Sequence, residues 1–133
     1  MALADRVGLP LAVHVASASP HEVTLAEATV AQRFVAPAPR RLIGDRAYDS
    51  DALDARFAAG GVELIAPHKR NRTRPRTQDG RPLRRYRRRW KVERLHAWLQ
   101  NYRRVLVRYE YHLENYLGFV HLACLLILLR AYL

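Results

Sequence analysis

Cysteine is almost absent from this chain, and long apolar runs are absent altogether. The single Cys124 excludes a disulfide framework and is predicted to be a small buried hydrophobe. The most apolar stretch, residues 117–129, is thirteen residues long and contains His121, which favours a buried helix over a membrane span. No secretory signal opens the sequence, so we expect an intracellular protein without a membrane partner.

Acidic residues are scarce where basic residues are dense. Residues 69–94 contain thirteen Lys and Arg but only Asp79 and Glu93, and the rest of the chain has ten residues of each sign. The whole net charge of +11 therefore lies in one segment. This concentration predicts a polyanionic partner, with nucleic acid favoured over an acidic membrane surface.

The 133 residues, half of them hydrophobic, predict a single folded domain without internal repeats. Periodicity and turn residues predict an alternation of strands and helices, which implies an α/β fold with a mixed sheet covered by helices. The predicted order is a strand ending near residue 5, a strand at 9–17, a helix at 22–35, a strand at 42–43, a helix from 49–51 to 59 and a strand at 62–66.

The basic half of the chain is predicted to consist of a loop and two helices. Residues 67–82 have almost no apolar side chains and indicate an exposed basic loop. Residues 83–108 lack Gly and Pro and predict one long helix, and a last apolar helix is expected at 112–132. On the long helix, Tyr86, Arg89, Glu93 and Gln100 would fall within an arc of roughly 60°.

Three carboxylates are candidates for chemistry if the fold brings them together. Asp5 ends the first strand, Asp45 follows the short buried strand, and Glu93 lies within the long helix. A group of three carboxylates needs a cation to offset its repulsion, and hard oxygen ligands favour Mg²⁺ or Mn²⁺. Each residue also has a simpler interpretation: Asp5 as a turn residue, Asp45 as a capping residue, and Glu93 as the ion-pair partner of Arg89.

Two segments carry a resemblance to a known family: LIGDRAYDSD at residues 42–51 and YRRRWKVERLHAWLQNYRR at 86–104. They resemble the bacterial insertion-sequence DDE transposases, in the IS-five/IS-four-type group with a Tyr-x2-Arg-x3-Glu-x6-Lys signature. Tyr86, Arg89 and Glu93 match this spacing, whereas Gln100 replaces the lysine. Residues 4–24 are similar to the family's first block, with Asp5 at its first catalytic position.

The resemblance implies an RNase H-like fold of the retroviral-integrase type and metal-dependent DNA strand cleavage and transfer. Asp5, Asp45 and Glu93 would be the catalytic residues and the ligands of two Mg²⁺ or Mn²⁺ ions. Tyr86 and Arg89 would contact DNA phosphates near this site. Further candidate DNA contacts are Lys69, Arg70, Arg72, Arg85, Arg88, Gln100, Arg103 and Arg104. Trp98 is expected in the core, and the role of Trp90 stays open between packing and base stacking.

The family's usual N-terminal DNA-binding region is expected to be absent, with the first strand cut short. The expected partners are transposon-end and target DNA, a second copy of the chain, and a polypeptide from an upstream reading frame, in the nucleoid region of a bacterial cytoplasm. Two alternatives remain. One is a catalytically inactive remnant that binds DNA non-specifically, which Gln100 and the short first strand favour. The other is a small basic RNA-binding protein, which explains the charge but not the carboxylate blocks.

Overall fold

The computed structural model describes residues 1–77 and 83–133. It begins with an antiparallel hairpin of β1 (Ala2–Ala4) and β2 (Pro10–Val13), in which Leu3 lies opposite Ala12. The predicted hairpin is confirmed, although β2 is shorter than expected. In β1 the side chains alternate between two hydrophobic clusters, with Leu3 in contact with one and Ala2 and Ala4 with the other.

The first helix, α1 (Glu22–Ala31), ends four residues earlier than the predicted boundary. The reason is a tertiary contact with the hairpin. Arg33 forms an isolated bridge with Ala12, and the Phe34 amide donates a hydrogen bond to the Leu11 carbonyl at 2.8 Å. These residues extend along the free edge of β2, so their backbone groups are satisfied without a further helical turn.

A parallel strand–helix–strand unit follows, consisting of β3 (Arg41–Ile43), α2 (Asp51–Ala59) and β4 (Glu63–Ile65). Ser50 caps α2 by accepting a hydrogen bond from the Leu53 amide. Gly61, with φ of +73°, lies in the turn after the helix, where a glycine was expected. The predicted order of these elements is confirmed.

The predicted single mixed sheet is wrong for the part of the chain that the structure describes. The strands form two separate two-stranded sheets, β1–β2 and β3–β4. The β1–β2 sheet packs on both hydrophobic clusters and the β3–β4 sheet on one, so helices on their faces stabilise these short sheets. The architecture is therefore a mixed α/β fold with two small sheets.

The predicted long helix over residues 83–108 is also wrong. Residues Arg84–Arg88 form a 3₁₀ helix, followed by α3 (Trp90–Gln100) and a short α4 (Arg103–Leu106). Five of the six residues from Arg84 to Arg89 are arginines, and repulsion between their like charges weakens a continuous α-helix through this segment. Tyr102 is extended between α3 and α4, and packs on the core with Val105.

The last helix, α5 (Leu113–Tyr132), matches the prediction in position. Its prediction as a buried helix is confirmed for one face only. Val120, Ala123, Cys124 and Ile127 are buried, and the unpaired Cys124 lies there as expected. By length and composition α5 is apolar enough to cross a membrane, as core helices of soluble proteins can also be, and 22% of its most apolar stretch is buried.

Two clusters form the core on either side of β1. One joins the hairpin, α3 and α5 around the fully buried Leu95, and the other joins α1, α2, β3 and β4 around Leu53. The first cluster fixes α3, which carries Glu93, against the hairpin that carries Asp5. The second fixes the end of β3, where Asp45 lies.

Candidate active site and DNA-binding surface

Asp5 organises the turn between β1 and β2. Its Oδ1 accepts hydrogen bonds from the Val7 and Leu9 amides, both at 2.8 Å. The Asp5 amide in turn donates to the Leu9 carbonyl at 2.9 Å. One carboxylate oxygen is therefore already used by the turn, as expected for a turn residue.

The start of α3 is fixed on this same turn. Lys91 Nζ donates to the Arg6 carbonyl, and Arg94 Nη2 donates to the Val7 carbonyl. Gly8 has a φ of +91°, which favours glycine, and a Cβ there would lie 2.5 Å from Arg94 Nη2, so that this guanidinium would have to move. Asp5 and α3 are thus neighbours in the fold.

Asp45 follows β3 at the carboxyl end of the parallel pair. Its Oδ1 accepts a hydrogen bond from the Ala47 amide at 2.8 Å, which caps a 3₁₀ turn over Arg46–Tyr48. The Gly44 amide donates to the Ile65 carbonyl at 2.9 Å, so β3 and β4 end together. This edge of a parallel sheet is where functional side chains commonly lie in α/β proteins.

Tyr48 lies beside Asp45 in a partly buried position. Burial, together with the negative charges of Glu22 and Asp45, raises the pKa of Tyr48 to about 12. Its ring lies against Gly44, where an added Cβ would approach the ring to 2.9 Å. The phenol therefore stays neutral at physiological pH and fills the space behind Asp45.

Glu93 lies on an exposed side of α3, with 57% of its side chain accessible. Its Oε1 accepts a hydrogen bond from Arg89 Nη2 at 2.5 Å, which is the i,i+4 ion pair that the sequence also allowed. Lys91 and Arg94 contact the Asp5 turn, and Glu93 lies roughly 100° to 160° from them around the helix. Glu93 therefore lies on a different side of α3 from the two residues that contact the Asp5 turn.

The structure does not gather the three predicted carboxylates into one ligand set. Among residues 1–77 and 83–133, no group of three His, Cys, Asp or Glu side chains could hold a metal ion. Asp5, Asp45 and Glu93 are chemically suited to Mg²⁺ or Mn²⁺, but each gives one oxygen to a turn, a cap or an ion pair. In this arrangement the three side chains do not together form a metal site.

A second acidic pair, which was assigned from the sequence to the start of a helix, holds the basic loop after β4. Asp49 Oδ1 accepts hydrogen bonds from His68 Nδ1 and Arg72 Nη1, both at 2.9 Å, and Oδ2 accepts one from the Lys69 amide at 2.7 Å. Arg72 Nη2 also donates to Asp51 Oδ1 at 2.7 Å. We call these five residues the loop clamp.

The loop clamp lowers the pKa values of its two carboxylates, Asp49 and Asp51. Burial raises the pKa of Asp49, but the Lys69 amide, the His68 ring and the Arg72 charge lower it more, so the pKa is below its ordinary value. Hydrogen bonds from Arg72 and Arg74 lower the pKa of Asp51. Both carboxylates are therefore ionised at neutral pH.

The ring of His68 links the loop clamp to the far side of the same loop. The Thr77 amide donates a hydrogen bond to His68 Nε2 at 3.3 Å, so Nδ1 carries the proton that is donated to Asp49. Residues 67–77 thus form a loop that is mostly exposed, as the sequence predicted, and that is held in place by these hydrogen bonds. The rest of that predicted loop, residues 78–82, lies outside the described residues.

Arg72 accordingly differs from the other cations predicted to bind DNA in this loop. Its side chain is 10% exposed, and its Nε and Nη2 also donate to the Pro75 carbonyl at 3.1 and 2.9 Å. Lys69 and Arg70 are exposed. The loop therefore presents those two side chains to solvent and uses Arg72 internally.

The 3₁₀ helix over Arg84–Arg88 presents most of its cations to solvent. Side chains three residues apart are eclipsed in this helix, so Arg85 aligns with Arg88. Both are exposed. The same spacing brings Arg89 over the ring of Tyr86, at 5.8 Å from the ring centroid. Tyr86 and Arg89, which were predicted to share one side of a long helix, are therefore still neighbours despite the change of helix type.

The residues predicted to contact DNA after Glu93 have different surroundings. Gln100 is exposed at the end of α3, and Arg103 is exposed at the start of α4. Arg104 Nη1 donates to Glu110 Oε1 at 3.0 Å, and its guanidinium lies 5.6 Å from the Phe119 ring centroid. Arg104 thus ties α4 to the segment before α5.

The two tryptophans enclose Arg94. Its guanidinium carbon lies 4.9 Å from the Trp90 ring centroid and 4.7 Å from that of Trp98. Trp98 packs on the core as predicted, and Trp90 is half exposed. The stack orients Arg94 toward the hairpin turn, which gives Trp90 a structural role through its cation–π contact.

Sequence reasoning missed the loop clamp and the contacts of Lys91 and Arg94. The acids of the clamp lie in the DRAYDSD segment, only four and six residues after Asp45, and were assigned to the start of a helix. Their partners lie nineteen to twenty-three residues further on. An uncommon His between Pro67 and Lys69 was the available signal, but the pairing itself depends on the parallel β3–β4 contact.

The chain is similar to known transposases. The family described as "Transposase DDE domain" matches residues 1–128. A protein of Burkholderia cepacia assigned as a transposase for insertion sequence element IS402 is 36% identical over 89 residues, covering 67% of this chain and 38% of that relative. One of Brucella ovis assigned to element IS6501 is 42% identical over 91 residues, covering 67% of each chain.

No solved structure matches the chain. The family match extends over nearly all of the sequence and includes the hairpin, Asp45 and Glu93. Both relatives are assigned as transposases of insertion sequences. The chain belongs to the transposase DDE domain family.

Proposed function

We propose that this chain is the catalytic part of a bacterial transposase that cleaves and joins DNA strands during the movement of an insertion sequence. The observation that carries the proposal is the family match over residues 1–128, within which Asp45 lies at the carboxyl edge of the parallel pair. The exposed arginines of the 3₁₀ helix support DNA as the partner, because clustered cations track the phosphate backbone.

The proposed fold class is RNase H-like, and its support is the order of elements: a hairpin, a helix, a parallel strand–helix–strand unit and C-terminal helices. The proposed subgroup is the one with the Tyr-Arg-Glu-Lys signature. Its support is the spacing of Tyr86, Arg89 and Glu93, with Gln100 at the fourth position.

Asp5, Asp45 and Glu93 are the proposed acids of the site, with Mg²⁺ or Mn²⁺ as the proposed metal. Tyr86 and Arg89 are the proposed phosphate contacts beside Glu93, since a hydroxyl and a guanidinium fork suit phosphate oxygens. Lys69, Arg70, Arg85, Arg88, Gln100 and Arg103 are the proposed contacts further along the DNA.

The proposed setting is the bacterial cytoplasm. There the protein would act on transposon-end and target DNA as a homodimer, together with a polypeptide from an upstream frame that recognises the ends.

The role of Asp5 can be separated from its role in the turn by two substitutions. Asp5→Asn keeps an oxygen for the Val7 and Leu9 amides but removes the negative charge, whereas Asp5→Ala removes both. In a strand-nicking assay on labelled DNA with Mn²⁺, a metal-ligand role predicts that both variants lose activity. A role confined to the turn predicts that Asp5→Asn stays active with an unchanged Tm.

A catalytically inactive DNA-binding remnant is the second candidate. It is favoured by the absence of a three-carboxylate group among the described residues and by Gln100 in place of lysine. This candidate predicts salt-sensitive DNA binding that does not respond to Mg²⁺ or Mn²⁺. Metal-dependent nicking by the wild type that Asp45→Asn abolishes would exclude it.

A further inference from the structure

We propose that Asp49 and Arg72 are positioning residues for DNA binding, because the loop clamp holds residues 67–77 so that Lys69 and Arg70 present their charges beside Asp45. This inference rests on the proposed function in that it takes DNA as the ligand. According to this inference, Arg72 supports DNA binding by holding the loop in place and does not itself contact a DNA phosphate.

The Nε, Nη1 and Nη2 atoms of Arg72 all donate hydrogen bonds within the protein. Nη1 binds Asp49, Nη2 binds Asp51 and the Pro75 carbonyl, and Nε binds the same carbonyl. The Asp49 side chain is only 4% exposed and accepts three hydrogen bonds. A phosphate would have to displace these partners to reach Arg72.

The parallel sheet explains why the loop clamp lies near Asp45. Strands β3 and β4 end at the same edge, with Asp45 after β3 and the loop after β4. Asp49 lies one 3₁₀ turn beyond Asp45 and binds the Lys69 amide directly. The clamp therefore fixes the backbone from which the exposed Lys69 and Arg70 side chains extend at this edge.

A fixed loop increases DNA affinity by reducing the conformational entropy that binding must remove. The clamp achieves this with two negative charges next to a basic segment, which by simple electrostatics weaken the attraction for DNA. The two effects have opposite signs. Removing the charge of Asp49 therefore tests directly which of them dominates.

The main experiment measures the Kd of the full chain for a short non-specific DNA duplex over a range of salt concentrations, without divalent ions. Asp49→Asn adds one unit of positive charge and replaces an accepting oxygen with an NH₂ group facing donors. We expect it to bind at least about threefold more weakly than the wild type, because the phosphate-contacting cations are no longer held in place. Binding equal to or tighter than that of the wild type would overturn the proposal.

Glu63→Gln is the matched control for this charge change. Glu63 lies at the opposite end of the same sheet and forms an exposed ion pair with Arg41 at 2.6 Å. We expect Glu63→Gln to bind DNA as the wild type does or slightly more tightly. If both variants bind more weakly to the same extent, the effect does not arise from the clamp and the proposal fails.

Arg72→Lys is a second variant, which keeps the charge but loses the guanidinium fork. We expect weaker DNA binding despite an unchanged net charge, and equal binding would contradict the clamp. Should Asp49→Asn fail to fold, this variant decides the question by the same binding measurement.

Hydrogen exchange without DNA separates this inference from the proposed function. We expect the Lys69 and Thr77 amides, which donate to Asp49 and His68, to exchange faster in Asp49→Asn than in Glu63→Gln. Unchanged exchange would overturn the clamp as a positioning device. If the wild type does not bind DNA while exchange changes as expected, the proposed function fails and the clamp is left as a structural feature only.

Discussion

Two basic segments of this protein have similar composition and different physical roles. In the loop at residues 67–77, Arg72 is buried and donates to Asp49 and Asp51, and Arg74 also binds Asp51. In the 3₁₀ helix, Arg85 and Arg88 are exposed. A count of cations therefore overestimates the number that can contact DNA, because some arginines are used to build the surface that carries the others.

The same distinction applies within α3. Arg89 pairs with Glu93 on the surface, whereas Arg94 is enclosed by two tryptophans and donates to the hairpin turn. Surroundings, and not residue type, separate a structural arginine from a candidate phosphate contact. The predictions below test this separation, from the largest expected effect on stability to the smallest.

Asp49→Ala should have the largest effect, since it removes a nearly buried carboxylate and leaves the donors of His68, Lys69 and Arg72 without their acceptor. We expect a loss of about 3 kcal/mol in the free energy of unfolding, measured by urea denaturation. The control is Glu27→Ala, which removes the partner of Arg56 in an ion pair that is about half exposed and should cost less than about 1 kcal/mol. If Asp49→Ala and Glu27→Ala lowered the free energy of unfolding equally, the loop clamp would contribute no more to stability than an exposed ion pair.

Gly8→Ala tests the contact between the hairpin turn and Arg94. A positive φ disfavours any Cβ, and the Arg94 guanidinium would have to move, so we expect a loss of about 1–2 kcal/mol. Gly118→Ala in α5 is the control, because space is open there and helical alanine should stabilise by roughly 0.5–1 kcal/mol. A neutral Gly8→Ala would show that Arg94 does not depend on this turn.

Low pH should weaken the loop clamp, because protonation of Asp49 removes its negative charge. The pKa of Asp49 is lower in the folded state than in the unfolded state, so its contribution to stability is fully present above the unfolded value of about 3.9. That contribution is lost as the pH falls through the folded pKa. We expect the stability difference between the wild type and Asp49→Asn, measured by urea denaturation, to shrink steadily below about pH 4. A difference that is constant from pH 6 to pH 2 would contradict this.

The double variant Arg85→Gln/Arg88→Gln should change the free energy of unfolding least of the variants considered. It should nevertheless reduce the salt dependence of DNA binding. Both side chains are exposed, so we expect less than about 0.5 kcal/mol change in the free energy of unfolding. The slope of log K against log salt should fall by roughly 1.8, or 0.9 for each lost phosphate contact. Arg130→Gln, an exposed change in α5, should leave the slope unchanged. Equal slopes in all three proteins would remove these arginines from the DNA surface.

The order of strands and helices followed from the sequence because local signals determine it. Ser50, Gly60 and Gly61 delimit α2, and the alternation around Leu9 indicates β2. The long helix was wrong because helix propensity takes no account of the repulsion among Arg84–Arg88 or of the packing of Tyr102 on the core. Local preference there is overridden by tertiary contacts.

For the candidate site, the sequence predicted which residues belong to it and on which elements they lie, but not how far apart they are. The positions of Asp45 at a strand end and of Glu93 on a helix are confirmed, but their distance from each other depends on how two small sheets pack. The role of Asp49 was hidden because its partners come from a loop that the sequence presents as solvated charge. Contacts between distant segments carry this information, and neither composition nor periodicity records them.

The most direct test of the central claim measures nicking and binding on the same DNA with Mn²⁺, for the wild type and for Asp45→Asn and Glu93→Gln. The account predicts that the wild type nicks the DNA and that both variants bind it about as tightly without nicking it. Metal-dependent nicking that persists in both variants would contradict the assignment of these carboxylates to the chemistry of this transposase domain.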